Sequence, residues 1–166
     1  LLAGVLADLD VDILSEPGRA IVGPAGVLLT RVIYLKRRAD HTFALVDGAM
    51  NDLLRPSLYD AFHDVRPVDE ARRGVAVSAD VVGPICETGD FLSRDRQVPD
   101  VDPGQLVAVM SAGAYGFTMS SNYCSRRRVA EVMVRGDAFE VIRRRQSYDD
   151  LIAGETIPAF LQEDLA

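Results

Sequence analysis

The segment ICETGD, residues 85 to 90, places a thiol directly beside a carboxylate, just before the glycine of a turn. A free thiol titrates near pH 8.5, roughly, and an adjacent carboxylate disfavours the thiolate because the two negative charges repel. Cys86 is therefore expected to be a thiol at neutral pH and able to donate a proton, while Glu87 can hold an ammonium group. The alternative is an inert, buried cysteine that only packs before the turn.

Three further segments carry groups that suit an anion. In EPGR, a Pro-Gly turn leaves backbone N–H groups free and Arg19 offers a planar donor to a carboxylate or phosphate. Arg55 and Tyr59 are four residues apart, so both should lie on one face of a short helix. Tyr115 lies between two glycines in a run too polar for a core strand. Each also has a structural alternative: a solvated turn arginine, a surface arginine stacked on a tyrosine, or a packed loop aromatic.

The composition excludes several classes of function. The net charge of −7 argues against non-specific nucleic-acid binding, although arginines cluster at 126–128 and 143–145. Neither cysteine belongs to a C-x-x-C pair, so no metal site is expected, and a reducing cytoplasm is the simplest compartment. No apolar run reaches the roughly 20 residues of a membrane span.

The elements that would position these residues fall into two parts. Residues 1 to 26 read as the end of an α/β domain: the tail of a helix with Leu2, Leu6 and Leu9 on one face, cut from something longer, then a short buried strand over 11–16. From residue 27 onward, β-branched runs separated by turn residues predict a mainly antiparallel β domain. The predicted strands cover 27–38, 41–47, 75–83, 105–110, 129–136 and 138–145.

Two further elements complete the predicted β domain. One or two helical turns around Pro56 interrupt the strands within 49–62, and Gly136 forms the turn of the last hairpin. A short closing helix begins at Ser147, with Asp150 in the capping-box position.

Four stretches in order resemble the carboxy-terminal portion of the diaminopimelate decarboxylase family, within the fold-type III pyridoxal-phosphate enzymes. They are EPGRAIVGPAG, VDGAMNDLLRPSLYDAFHDVRPV, CETGDFLSRDRQVPDVDPGQLVAVMSAGAYGFTMSSNY and VAEVMV, and the resemblance runs from about residue 11 to 154. The pair Cys86-Glu87 is typical of the diaminopimelate branch, whereas ornithine and arginine relatives typically carry Cys-Asp. The resemblance implies that residues 1–26 end a (β/α)8 barrel and that 27–166 form a C-terminal β-barrel or sandwich domain.

The resemblance also implies contacts to the cofactor, pyridoxal 5'-phosphate. Glu16, Gly18 and Arg19 match the segment at the cofactor phosphate and the substrate, with Arg19 on the distal substrate carboxylate. Tyr115 matches the tyrosine near the cofactor phosphate and substrate. These assignments come from the family pattern alone.

For the substrate, the resemblance implies recognition of meso-2,6-diaminopimelate, which the family converts to L-lysine and CO2 in lysine biosynthesis. Arg55 and Tyr59 match further carboxylate contacts, and Glu87 matches the group that receives the distal ammonium. Cys86 matches a thiol supplied across a homodimer whose active sites lie between the subunits.

The sequence departs from the family pattern at two levels. Cys124 and Arg127 stand where members usually carry Asn and Pro, and the only lysine is Lys36, so the Schiff-base lysine is absent and the chain resembles a fragment expected to be inactive alone. Two other interpretations stay open. One is a decarboxylase for another basic amino acid or carboxynorspermidine, and the other is a non-catalytic β module for binding or dimerisation.

Overall fold

The structure, a computed structural model, describes residues 2–6, 12–72 and 74–162. Its helices are short: α1 Leu2–Val5, α2 Gly18–Val22, α3 Arg55–Tyr59, α4 Tyr148–Ile152 and α5 Ala159–Gln162. Single 3₁₀ turns occur at Glu70–Arg72, Phe117–Met119 and Tyr123–Ser125. Within the described ranges, no helix has the length and apolar character needed to cross a membrane.

Strands account for most of the ordered structure. They are β1 Leu28–Arg37, β2 Thr42–Val46, β3 Val65–Pro67, β4 Ala76–Val82, β5 Phe91–Pro99, β6 Leu106–Val109, β7 Glu131–Arg135 and β8 Ala138–Arg143. Six of them form one sheet in the order β3-β6-β1-β2-β4-β5, and β7 and β8 form a separate hairpin. The edge strands β3 and β5 contact each other, so the sheet curls toward closure.

The pairing is antiparallel except between β2 and β4, which run parallel. The predicted mainly antiparallel β domain is therefore confirmed. Its core lies inside the curled sheet and is built from inward-facing aliphatic side chains such as Val32, Val46, Leu53, Leu92 and Val109, each at most 1% exposed. Burying a side chain of this kind stabilises the fold by about 1.5–3 kcal/mol.

Most of the predicted elements are present. The strands predicted from residue 27 onward correspond to β1, β2, β4, β6, β7 and β8, and the helical turn around Pro56 is α3. Gly136 has φ +58° in the turn between β7 and β8, and Ser147 and Asp150 form the capping box of α4. The prediction missed β3 and β5. In β5 the polar run SRDRQ obscures the strand pattern, and register shifts interrupt its pairing with β4.

The predicted buried strand over 11–16 is wrong. Residues 12–16 are exposed and irregular, and Leu14 is 93% exposed. A strand needs a hydrogen-bonded neighbour, and none lies beside this segment in the described part of the chain. The start of the predicted amino-terminal helix agrees with α1, whereas Leu9 and Val11 lie outside the described residues. The division into two domains at residue 26 stays a prediction.

Candidate functional site

The candidate residues Cys86, Glu87 and Tyr115 lie on loops at one end of the sheet. Strand β1 is antiparallel to both β2 and β6, and β2 is parallel to β4, so β2, β4 and β6 all run in the same direction. Their carboxyl ends therefore share one edge, and the connections 47–54, 83–90 and 110–126 begin there. This topology explains how segments far apart in the sequence form one site.

Asp90 holds the ICETGD turn against the loop that follows β2. Its buried carboxylate accepts hydrogen bonds from the backbone N–H of Met50 at 2.7 Å and of Ile85 at 2.6 Å. Gly83 is needed beside it, because a Cβ there would lie 2.5 Å from Asp90 Oδ2. The turn directs both Cys86 and Glu87 outward, and both are exposed. The alternative of a buried, inert cysteine is therefore wrong.

Glu87 contacts Tyr123, a residue that was not predicted from the sequence. The hydroxyl of Tyr123 donates to Glu87 Oε2 at 3.3 Å, and both residues line an open pocket of about 340 Å³. The other lining residues are Met50, Asn51, Leu54 and Ser121. The neighbouring Cys124 and, after it, the negative charge of the Glu87 carboxylate raise the pKa of Tyr123. The tyrosine therefore stays protonated and acts as a donor at neutral pH.

Arg126 ties the loop carrying Tyr123 to the loop after β2. Its Nε donates to Asn51 Oδ1 at 3.0 Å and its Nη2 to the Asp47 carbonyl at 2.6 Å. The Asn51 amide in turn donates to the Ser121 carbonyl at 3.1 Å. Beneath them lies buried Asp52, whose Oδ2 is 3.7 Å from Arg126 Nη2 and whose pKa is raised because burial disfavours its charge.

The two departures from the family pattern fall in this loop. Cys124 and Ser125 both have positive φ, +54° and +55°. Residues other than glycine and asparagine rarely adopt this backbone conformation. The guanidinium of Arg127 stacks on the ring of Tyr148 at 4.6 Å, which joins the loop to α4. The loop thus has a left-handed backbone at Cys124 and a side-chain contact to α4 at Arg127.

The predicted pair on α3 is present. Arg55 and Tyr59 are the first and last residues of this helix, and Tyr59 is 61% exposed. The Arg55 guanidinium lies 5.7 Å from the ring centroid of Tyr115, which brings two candidate residues together. Stacking on a ring leaves the in-plane N–H groups of an arginine free for a carboxylate. Gly89 allows α3 to approach the ICETGD turn, since a Cβ there would lie 2.6 Å from Ser57 Oγ.

Helix α2 lies beside the loop that carries Tyr115. The backbone N–H of Gly113 donates to Gly23 O at 3.0 Å. The side chains of Glu16 and Arg19 are exposed and form no hydrogen bond or ion pair with the described residues. The N–H of Gly18 donates to Glu16 O at 2.9 Å, so this group is not free for an anion, contrary to the prediction.

Lys36 lies far from these loops. It is exposed near the end of β1 and pairs with Phe43, at the start of β2 and thus at the opposite edge of the sheet. His41, Asp80 and Asp95 form a cluster there with ligand atoms within 4.8 Å of one another, a set of the types that bind divalent cations. His41 Nε2 already contacts Asp80 Oδ1 at 3.2 Å, and the cluster is separate from the candidate site.

Comparison with known proteins gives a consistent result. Residues 11–113 match the family model "Pyridoxal-dependent decarboxylase, C-terminal sheet domain". Diaminopimelate decarboxylase of Aquifex aeolicus is 49% identical over 92% of this chain and 36% of its own length, and that of Pseudomonas aeruginosa is 55% identical over 89% and 35%. A crystal structure of diaminopimelate decarboxylase from Helicobacter pylori complexed with L-lysine is similar, with TM-score 0.75 and 38% identity over 99% of this chain and 39% of that one. The chain thus spans about a third of the length of the curated relatives it matches.

Proposed function

Since this chain belongs to the pyridoxal-dependent decarboxylases, as their C-terminal sheet domain, we propose that it forms the carboxy-terminal part of a diaminopimelate decarboxylase. The whole protein would convert meso-2,6-diaminopimelate to L-lysine and CO2. The names and identities of its relatives support this assignment. Both cysteines are free, which suits a reducing, cytoplasmic compartment.

The observation that carries the proposal is a pair of opposite charges, Glu87 on a turn and Arg55 at the start of the adjoining helix α3. Glu87 lines the pocket, and Arg55 directly follows Leu54, which lines the same pocket. Diaminopimelate carries a second amino-acid centre, remote from the one that reacts. A site with a fixed anion for its ammonium and fixed cations for its carboxylate rejects lysine and ornithine, which lack the distal carboxylate. Arg19 and Tyr59 would add further contacts to that carboxylate.

The residues present fit pyridoxal 5'-phosphate only in part. When bound, the cofactor supplies the electron sink for loss of CO2. Exposed Arg19 and the hydroxyl of Tyr115 are suitable donors for its phosphate, with Glu16 and Gly18 forming the adjoining backbone. Lys36, at the opposite edge of the sheet, does not fit covalent attachment. We therefore assign the attachment to a residue outside this chain.

Cys86 is the proposed proton donor. Its Sγ–H would deliver a proton to the carbon that loses CO2. The thiol is accessible for this step because Cys86 is exposed on a turn that buried Asp90 holds in place. We place this turn at the two-fold interface of a homodimer, so that each thiol serves the other subunit. Glu87, next in the chain, would bind the distal ammonium of the same substrate.

The test uses the whole protein with Glu87→Gln. We expect kcat/KM for diaminopimelate, followed by L-lysine formation, to fall about 30- to 5000-fold, as is typical when a desolvated charge pair loses one partner. Glu140→Gln, the same change on exposed strand β8, should leave kcat/KM unchanged. A loss of less than threefold at Glu87, with the fold intact, would exclude this residue from substrate binding.

The alternatives are tested with the same preparation. Faster turnover of another basic amino acid or of carboxynorspermidine would identify a different member of the decarboxylase group. The position of Lys36 favours a non-catalytic β module as the second candidate. That function would be indicated if the whole protein forms a dimer but decarboxylates none of these substrates.

A further inference from the structure

The Glu87 carboxylate is held at one oxygen only. Its Oε2 accepts from the hydroxyl of Tyr123, whereas Oε1 has no hydrogen-bond partner among the described residues. The two side chains enter the pocket from different connections, one after β4 and the other after β6. A contact between such distant segments aligns Glu87 only if the tyrosine is itself fixed.

Tyr123 is fixed by the loop around it. Ser121 N–H donates to Asn51 O at 3.0 Å on one side, and Arg126 binds Asn51 and Asp47 on the other. The positive φ angles of Cys124 and Ser125 turn the chain sharply between these two anchors. The loop is thus anchored on both sides of the tyrosine.

We propose that Tyr123 is a positioning residue for Glu87: its hydroxyl holds Oε2 so that Oε1 remains available for the distal ammonium of the substrate. This inference rests on the proposed function. A glutamate has three rotatable side-chain bonds, and an exposed one samples many rotamers. A donor at one oxygen restricts that freedom before the substrate arrives.

The first test is a double-mutant cycle on the whole protein with diaminopimelate. Tyr123→Phe keeps the ring and removes only the hydroxyl, so we expect KM to rise about 3- to 10-fold with kcat nearly unchanged. In a Glu87→Gln background the same change should have less than about a twofold effect, because the carboxylate on which it acts is gone. Equal effects in both backgrounds, or a fall in kcat alone, would overturn the positioning role.

The second test needs no activity. Glu87 raises the pKa of Tyr123, after the larger effect of Cys124, so NMR titration of ¹³C-tyrosine in the whole protein should show that this pKa falls in Glu87→Gln. Tyr34, exposed on β1, serves as a control that does not shift with this substitution. An unchanged Tyr123 pKa would overturn the contact.

The two proposals fail in different ways. If the wild-type whole protein makes no lysine, the proposed function is wrong, whatever the titration shows. If it does make lysine but the cycle is additive or the titration is unchanged, only the role of Tyr123 is wrong.

Discussion

At the scale of the residue, a buried carboxylate organises the candidate site. Asp90 uses both oxygens to accept N–H groups from two separate loops. In Asp90→Asn an NH2 group replaces one carboxylate oxygen, so the backbone N–H of Met50 or of Ile85 loses its acceptor. We expect a loss of about 1–3 kcal/mol in the free energy of unfolding. Denaturant unfolding measures this loss. Asp137→Asn, the same change at an exposed turn position, should stay within about 0.5 kcal/mol.

A buried histidine gives the stability a pH dependence. His63 is 4% exposed with Nδ1 2.8 Å from Met110 O, so Nδ1 carries the proton. Burial lowers its pKa, the contact with Met110 opposes this, and the charges of Arg55 and Arg96 lower it further. Because the folded-state pKa lies below the unfolded value of about 6.5, its stabilisation is present above that pH and is lost as the pH falls toward the folded value.

We therefore expect His63→Asn, whose amide can still donate to Met110, to flatten the dependence of stability on pH. Denaturant unfolding between about pH 7.5 and 5.5 tests this. The wild-type protein should lose stability more steeply than the variant as the pH falls. Identical slopes in the two proteins would contradict the assignment.

Sequence reasoning found some of these residues and missed others for a physical reason. Cys86, Glu87 and Arg55 are recognisable because their chemistry lies in adjacent residues or on one helical face, and the structure brings Arg55 to Tyr115. Tyr123 acts only through a partner supplied by another loop. No local sequence pattern predicts the contact between Tyr123 and Glu87, because the two residues are 36 positions apart and only the fold brings them together.

At the scale of the element, the capping box of α4 is the clearest agreement between pattern and structure. Ser147 Oγ accepts from the Asp150 N–H at 3.1 Å, and Asp150 accepts from the Ser147 N–H at 2.7 Å. Ser147→Ala should weaken the helix by about 1 kcal/mol, so hydrogen exchange of the α4 amides should quicken roughly fivefold. Asp149→Ala, one residue from the box, should change the exchange much less.

The strand that was predicted but is absent and the strand that is present but was not predicted have the same cause. A strand was expected at 11–16 from its apolar residues, but its exposed backbone has no neighbour among the described residues. Strand β5 was not expected because charged residues fill its middle, yet it pairs with β4. In both cases the presence of a partner strand, rather than the local sequence, decides the outcome.

At the scale of the whole molecule, the proposed homodimer makes a quantitative prediction. One variant of the whole protein lacks the cofactor-binding lysine and another carries Cys86→Ala, and each should be nearly inactive alone. Random reassembly makes about half the dimers mixed, and each mixed dimer has one complete site of two, so activity should approach about a quarter of wild type. If the thiol served its own subunit, the mixture would show no more than the summed activities.

The parallel pairing of β2 with β4 has a consequence for how the protein folds. Pairing of β2 with β4 closes a long loop, because Thr42 pairs with Ala79 and the chain between them carries α3 and β3. Contacts that close such long loops form slowly. The pocket needs β2, β4 and β6 aligned before Glu87 and Tyr123 can meet, so we expect it to form late in folding. Substitutions in the pocket should therefore change the rate of unfolding far more than the rate of folding, which leaves this surface free to vary without slowing the acquisition of the fold.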